Sequence, residues 1–129
     1  MKRYNCIPAG DHLAPVASTE VTPTDFAAQK ISLEEALSAT ITYFVQGVHG
    51  SCAEKITFIM QSYDSLRDSW DTEPLITKEI MMNGLNAIQE TDDLPVGPEA
   101  IRLYSVTNAA AGGSGRDAYV NASVYVNRF

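Results

Sequence analysis

Between Ser32 and Trp70 the apolar residues recur with a spacing that predicts two amphipathic helices. Leu33, Ala36, Leu37, Ile41, Phe44, Val45 and Val48 fall on one helical face, and Cys52, Ile56, Ile59, Met60, Tyr63, Leu66 and Trp70 do the same further on. Each series opens on an S-x-x-E sequence, Ser32-Leu33-Glu34-Glu35 and Ser51-Cys52-Ala53-Glu54. In that pattern a serine oxygen and a glutamate carboxylate bond the amides left open at a helix start. Gly47 and Gly50 lie between the two series and can take the positive φ of a helix end. The pair predicts an antiparallel helical hairpin over about 32–48 and 51–70.

A third apolar series, Ile76, Ile80, Met81, Gly84, Leu85 and Ile88, follows cap candidates at Asp71 and Thr72 and a first-turn proline, Pro74. It predicts a helix over about 73–90. The opposite face carries Lys78, Glu79, Asn83, Asn86 and Glu90, and Met82 falls among them as an exposed apolar contact for a partner. The period then changes. From Ala118, the residues Val120, Ala122, Val124 and Val126 alternate with Asn121, Ser123, Tyr125 and Asn127, which predicts a strand over 118–128. Ile101 and Leu103 alternate in the same way, so 100–107 is read as its partner, with Gly112-Gly113-Ser114-Gly115 turning the chain between them. The alternative makes 98–111 a fourth helix of a mostly α protein.

Residues 1–31 hold Pro8, Gly10, Pro15 and Pro23 and read as an extended arm, with a single helical turn expected over Phe26 to Gln29 after Thr22-Pro23-Thr24-Asp25. The expected fold is therefore α+β: an irregular N-terminal arm over 1–31, then one domain over 32–129 with a three-helix antiparallel core and a C-terminal β-hairpin.

Charge narrows the partners. With 16 acidic against 9 basic residues the formal charge is −7, which disfavours attraction to nucleic acid or to an anionic membrane surface. Eleven of the acidic residues fall within 32–94, so the acidity belongs to the expected helical centre. No apolar run approaches the length of about 20 residues that spans a bilayer. Met1-Lys2-Arg3 leads into Tyr4, Asn5 and Pro8 rather than an apolar segment, so a soluble cytoplasmic protein is expected.

Candidate chemistry is sparse. His49 and Cys52 could form a catalytic pair if Cys52 opens a helix that stabilises its thiolate, but Cys52 also sits on an apolar stripe where a small buried thiol is ordinary. Cys6 and Cys52 lack the spacing of a metal site or a disulfide framework. Asp64 and Asp68 share a helical face with Arg67 beside them, which suits a solvated pair or a docking point better than a metal. Gly112 to Gly115 with Arg116 lacks a phosphate-loop motif, and His12 carries no pattern. No metal and no cofactor is expected. Tyr119, Tyr125 and Phe129 lie opposite the valines of the last strand, giving it a second face and an edge to bury. These features predict a noncatalytic acidic protein-interaction or assembly module, such as an inhibitor, immunity factor, adaptor or particle component. It would bind a basic protein or a second copy through its acidic helices and C-terminal strand, using Tyr119, Tyr125, Phe129, Met82, Asp64 and Asp68. The alternative is a small enzyme or ligand-binding protein with a cleft near His49 and Cys52.

Overall fold

β-Branched and aromatic side chains crowd the two segments with helical spacing, Ile41, Thr42, Tyr43 and Val45 in one and Ile56, Thr57, Phe58 and Ile59 in the other, and both segments are strands. The computed structural model describes residues 1–7, 14–16, 20–21, 29–109 and 118–128. Among them there is no helix. The strands are β1 (Lys2–Asn5), β2 (Ala14–Val16), β3 (Glu20–Val21), β4 (Ile31–Ser32), β5 (Ala36–Gly47), β6 (Lys55–Asp64), β7 (Ser69–Trp70), β8 (Ile76–Met81), β9 (Ala87–Leu94), β10 (Ala100–Asn108) and β11 (Ala118–Arg128).

They form two antiparallel sheets packed face to face. In the first, β11 lies between β5 and the N-terminal strands, with β1 and β2 sharing its other edge and β9 beyond β5. In the second, β10 takes β3 and β4 on one edge and β6 on the other, and β6 is flanked by β8 and β7. Alternation puts one face of each sheet into a shared core. The first sheet contributes Ile41, Tyr43, Val45, Val120, Val124 and Val126, the second Ile56, Phe58, Met60, Ile101 and Leu103, all fully buried. Tyr43 and Phe58 meet across the layers with ring centroids 5.1 Å apart. Burial, with Asp92 nearby, raises the pKa of Tyr43, so its phenol stays neutral in the core.

The expected α+β fold is thus corrected to an all-β sandwich. The helical hairpin over 32–48 and 51–70 is replaced by β5 and β6, which belong to different sheets. Residues four apart, such as Ile41 and Val45 or Ile56 and Met60, satisfy a helix and a strand equally. The buried positions between them, Tyr43 and Phe58, fit only the two-residue period. Neither S-x-x-E sequence starts a helix. Ser32 Oγ accepts the Glu34 amide at 3.2 Å in a turn where Glu35 has φ 60°, and Ser51 Oγ lies 3.2 Å from His49 Nδ1.

The third helix, expected over 73–90, is β8, a tight turn and β9. The Asn86 amide donates to the Asn83 carbonyl at 3.1 Å, and Gly84 between them has φ 60°, a left-handed conformation that glycine adopts without strain. The strand period also buries Met82, only 4% exposed, where the helical phase had put it on a polar surface. Residues Ala100–Asn108 and Ala118–Arg128 are strands but not a hairpin, since β10 pairs with β6 and β11 with β5, and the four-helix alternative fails at β10. From the segment expected as an arm, β1 and β2 pair into the first sheet and β3 into the second, where β4 joins it on the same edge of β10. Residues 22–28 of the expected helical turn, His12 and the glycines at 112–115 lie outside the described residues.

Two contacts fix the flanks of the sandwich. Arg128 at the end of β11 donates to the Tyr4 hydroxyl at 3.0 Å and to the carbonyls of Ser32 at 2.7 Å and Glu34 at 3.0 Å. On the other side, the Lys78 ammonium of β8 lies 3.4 Å from Glu90 and 3.4 Å from Asp92 of β9, joining the edges of the two sheets.

Replacing Met82 with glutamate puts a carboxylate into the core and is expected to cost more than about 2 kcal/mol in chemical denaturation. A midpoint equal to wild type would return Met82 to the surface. Lys78 gives a second expectation. Burial pulls its pKa down, Asp92 and Glu90 more than offset this, and the net value lies above the ordinary 10.5. A base whose pKa is raised by folding contributes stability that is fully present below its unfolded value and lost as pH rises through the folded one. Thermal unfolding from about pH 9 to 12 should therefore show wild type losing stability more steeply than Lys78→Met. Parallel profiles would mean that the cross-sheet pairing contributes nothing.

Candidate functional site

The outer face of the second sheet collects side chains that the core does not use. Along β6, the inward Ile56, Phe58 and Met60 alternate with Thr57, Ile59, Gln61 and Tyr63. β10 places Arg102 opposite Gln61, and its register slips between Leu103 and Ser105, so Tyr104 is the extra residue of a β-bulge beside Ile59. The chain then brings a third segment to this face. It leaves β6 at Asp64, turns, and returns as β7, whose Trp70 pairs with Tyr63. Beyond β7 the Asp71 amide donates to the Ser62 carbonyl at 2.8 Å and the Leu75 amide to the Met60 carbonyl at 2.9 Å, which pins Thr72 and Pro74 alongside β6.

These elements enclose an open depression of about 290 Å³ lined by Ile59, Gln61, Thr72, Pro74 and Tyr104. Arg102 stands beside it. Its guanidinium carbon lies 4.2 Å from the centre of the Trp70 ring and 5.9 Å from that of Tyr104, and its Nε donates to Gln61 Oε1 at 3.0 Å. Gln61 is only 8% exposed, and this bond leaves its amide nitrogen available as a donor. Tyr63 meets the edge of Trp70 at 5.4 Å, lies under the Lys30 ammonium at 3.6 Å, and donates its hydroxyl to Asp68. That bond to Asp68 raises the pKa of Tyr63. The cluster thus offers an aromatic wall, an apolar floor, an amide, a hydroxyl and a guanidinium held over an aromatic ring.

The residues singled out from sequence are dispersed. His49 is exposed and lies against Ser51, while Cys52 is buried beside Gly47, where a Cβ on the glycine would stand 2.7 Å from that of the cysteine. The geometry pairs His49 with Ser51 and shuts Cys52 into the core, so the two do not form the pair expected from sequence. Burial also pushes the Cys6 thiol up to about 12, which keeps it protonated. Asp64 ends β6 and Asp68 lies in the turn that follows it. Asp64 takes Arg67 at 2.7 Å, which lowers its pKa, and Asp68 takes Tyr63.

Tyr119 and Tyr125 do lie on the outer face of β11, but that strand has no free edge, because β5 and the N-terminal strands occupy both. Phe129 lies outside the described residues. With no helix among the described residues to carry an acidic face, a buried Met82 and a doubly paired β11, the helical acidic interaction module expected from sequence is overturned. Among the described residues no helix is long and apolar enough to cross a membrane.

Sequence reasoning passed over Gln61, Trp70, Arg102 and Tyr104. A signal was present: Arg102 and Tyr104 alternate with the apolar Ile101 and Leu103, which in a strand puts both on the face away from the core.

No family model matches the chain, and no curated protein matches it. Among solved structures it is similar to the xylan-binding domain CBM22-1 of Paenibacillus barcinonensis Xyn10C, at 12% identity over 85% of this chain and 64% of that one, TM-score 0.49. It is similar to the CBM22-1 and GH10 modules of Clostridium thermocellum xylanase 10B, crystallised with xylohexaose, at 16% identity over 73% of this chain and 17% of that one, TM-score 0.43. A third likeness is to a CBM4 structure, at 11% identity over 88% of this chain and 81% of that one, TM-score 0.38. The chain spans less than two thirds of the first two structures, and all three likenesses are distant.

Proposed function

We propose that this chain is a carbohydrate-binding module that takes its sugar on the outer face of the second sheet. The observation that carries the reading is the depression bounded by Tyr104, Pro74 and Ile59, with Gln61 and Thr72 on its wall and Arg102 stacked on Trp70 beside it. A pyranose has an apolar face of C–H groups and a rim of hydroxyls. An aromatic ring matches the face, and fixed amide, hydroxyl and guanidinium groups match the rim. Each donor here is preorganised. Gln61 is held by Arg102, Arg102 by Trp70, and Thr72 by the backbone bonds on either side of it. Rigid polar groups lose less entropy on binding than mobile ones, and this matters for a ligand whose hydroxyls already bond well to water.

The test is affinity electrophoresis in gels cast with soluble polysaccharides, followed by calorimetry with oligosaccharides of those that retard the protein. Xylan belongs in the set because two distant structural likenesses carry it or its oligomer in their descriptions. Retardation by at least one polysaccharide is expected. Tyr104→Ala should weaken that binding at least about tenfold, roughly 1.4 kcal/mol, with an unfolding midpoint close to wild type. No retardation across the set, or undiminished binding by Tyr104→Ala, would overturn the reading.

A further inference from the structure

On the sugar-binding reading of this face, the charge of the ligand can be read as well. Several cations among the described residues are matched by the fold. Lys55 pairs with Glu79 at 3.1 Å, Arg67 with Asp64 at 2.7 Å, and Lys78 with Glu90 and Asp92 at 3.4 Å each. Arg128 spends its donors on the Ser32 and Glu34 carbonyls and the Tyr4 hydroxyl. Arg102 stands at the depression with no ion pair of this kind. It is half-buried, and in a chain of 16 acidic and 9 basic residues no carboxylate among the described residues pairs with it. Burial draws its pKa below the ordinary 12.5, with Tyr104 acting in the other direction. A partly desolvated charge without a counter-charge costs free energy that an anionic ligand would recover.

Geometry adds to charge. A guanidinium has five N–H donors, and Gln61 takes the one on Nε. The two Nη groups then form a planar fork, which matches the two oxygens of a carboxylate better than a single hydroxyl. The guanidinium carbon lies 4.2 Å from the Trp70 ring centre and Nε is bonded to Gln61, so two contacts already restrain the side chain when the anion arrives. Gln61 and Thr72 are left for ring hydroxyls and Tyr104 for the ring face. We infer that Arg102 receives the carboxylate of a uronic-acid residue, so that the ligand of this site is an acidic glycan.

Calorimetry tests this with oligogalacturonate, oligoalginate and a glucuronate-substituted xylooligosaccharide, each alongside its carboxyl-reduced form, in which the acid is a primary alcohol and the ring is otherwise unchanged. At least one acidic oligosaccharide is expected to bind tenfold or more tightly than its reduced form, and Arg102→Gln should erase that difference. Arg102→Lys, which keeps the charge but loses the fork, should restore only part of it. Thermal unfolding of both variants guards against a folding defect. If a variant is unfolded, protection of the wild-type Arg102 side-chain resonances by the acidic oligosaccharide, and not by its reduced form, gives the same information.

Equal affinity for acidic and reduced forms would overturn the acidic preference while leaving a sugar-binding face intact. A preference for the acid that survives in Arg102→Gln would overturn the assignment to Arg102. Binding of neither form, together with no retardation by any polysaccharide, would overturn both readings. A sulfated glucan that competes as well as the best uronate would overturn the carboxylate in favour of sulfate.

Discussion

The contact between Tyr43 and Phe58 joins the middle of one sheet to the middle of the other, and the fold depends on the two-layer burial that it centres. Around it stand Ile41, Val45 and Val124 from the first layer and Ile56, Met60 and Leu103 from the second, each fully buried. Burying a side chain of this size stabilises by about 1.5–3 kcal/mol, so the two inner faces together supply the dominant favourable term. Few of these contacts are local. β1, at the start of the chain, pairs with β11 at its end, and β10 pairs with both β4 and β6. Such pairings cost loop-closure entropy before they are rewarded, so the core has to assemble from distant segments at once.

That core also determines what the outer face of the second sheet can present. Because Ile56, Phe58 and Met60 must point inward, Ile59 and Gln61 must point outward, and the same constraint turns out Arg102 opposite Gln61. Two departures from regular pairing convert this flat face into a depression. The bulge at Tyr104 adds a residue to β10, and the return of the chain through β7 lays Trp70, Thr72 and Pro74 beside β6. A bulge costs ladder hydrogen bonds and a short edge strand contributes little core, so neither feature follows from stability alone. Both re-aim side chains. Arg102, Gln61 and Trp70, separated widely in sequence, become a single stacked and hydrogen-bonded unit.

The alternation of β11 was legible in the sequence, since Val120, Ala122, Val124 and Val126 occupy every second position between polar residues and lie fully buried. β5 and β6 were not, for a geometric reason. With thirteen or more residues in each segment, apolar positions three and four apart can be selected from a strand that also carries apolar or aromatic residues on its outer face, such as Phe44, Ile59 and Tyr63. In β6 the outward Ile59 and Tyr63, which belong to the candidate site, are among the residues that blur the period. The Ser32 and Ser51 sequences then reinforced the wrong reading, because a serine two or three residues before an amide caps a turn as readily as a helix. Asn83-Gly84 carried the better signal. That pair is a strong turn marker inside the helical spacing of Ile76, Ile80 and Ile88. Of the site, Arg102 and Tyr104 could be placed on an outward face once 100–107 was read as a strand. Their meeting with Trp70 could not, because it depends on which strand lies beside which.

The net charge of −7 bears on how an anionic sugar could be recognised by this protein. At a distance the acidic surface repels any polyanion, and salt screens that repulsion over a Debye length of about 8 Å at physiological ionic strength. At contact the balance reverses, because Arg102 is partly shielded from solvent and interactions there are screened much less. On the acidic-glycan reading, attraction would then be strongest for a carboxylate at Arg102, while carboxylates reaching the acidic surface would meet repulsion. A short oligosaccharide bearing one carboxylate suits these opposed ranges better than a long, uniformly charged polymer.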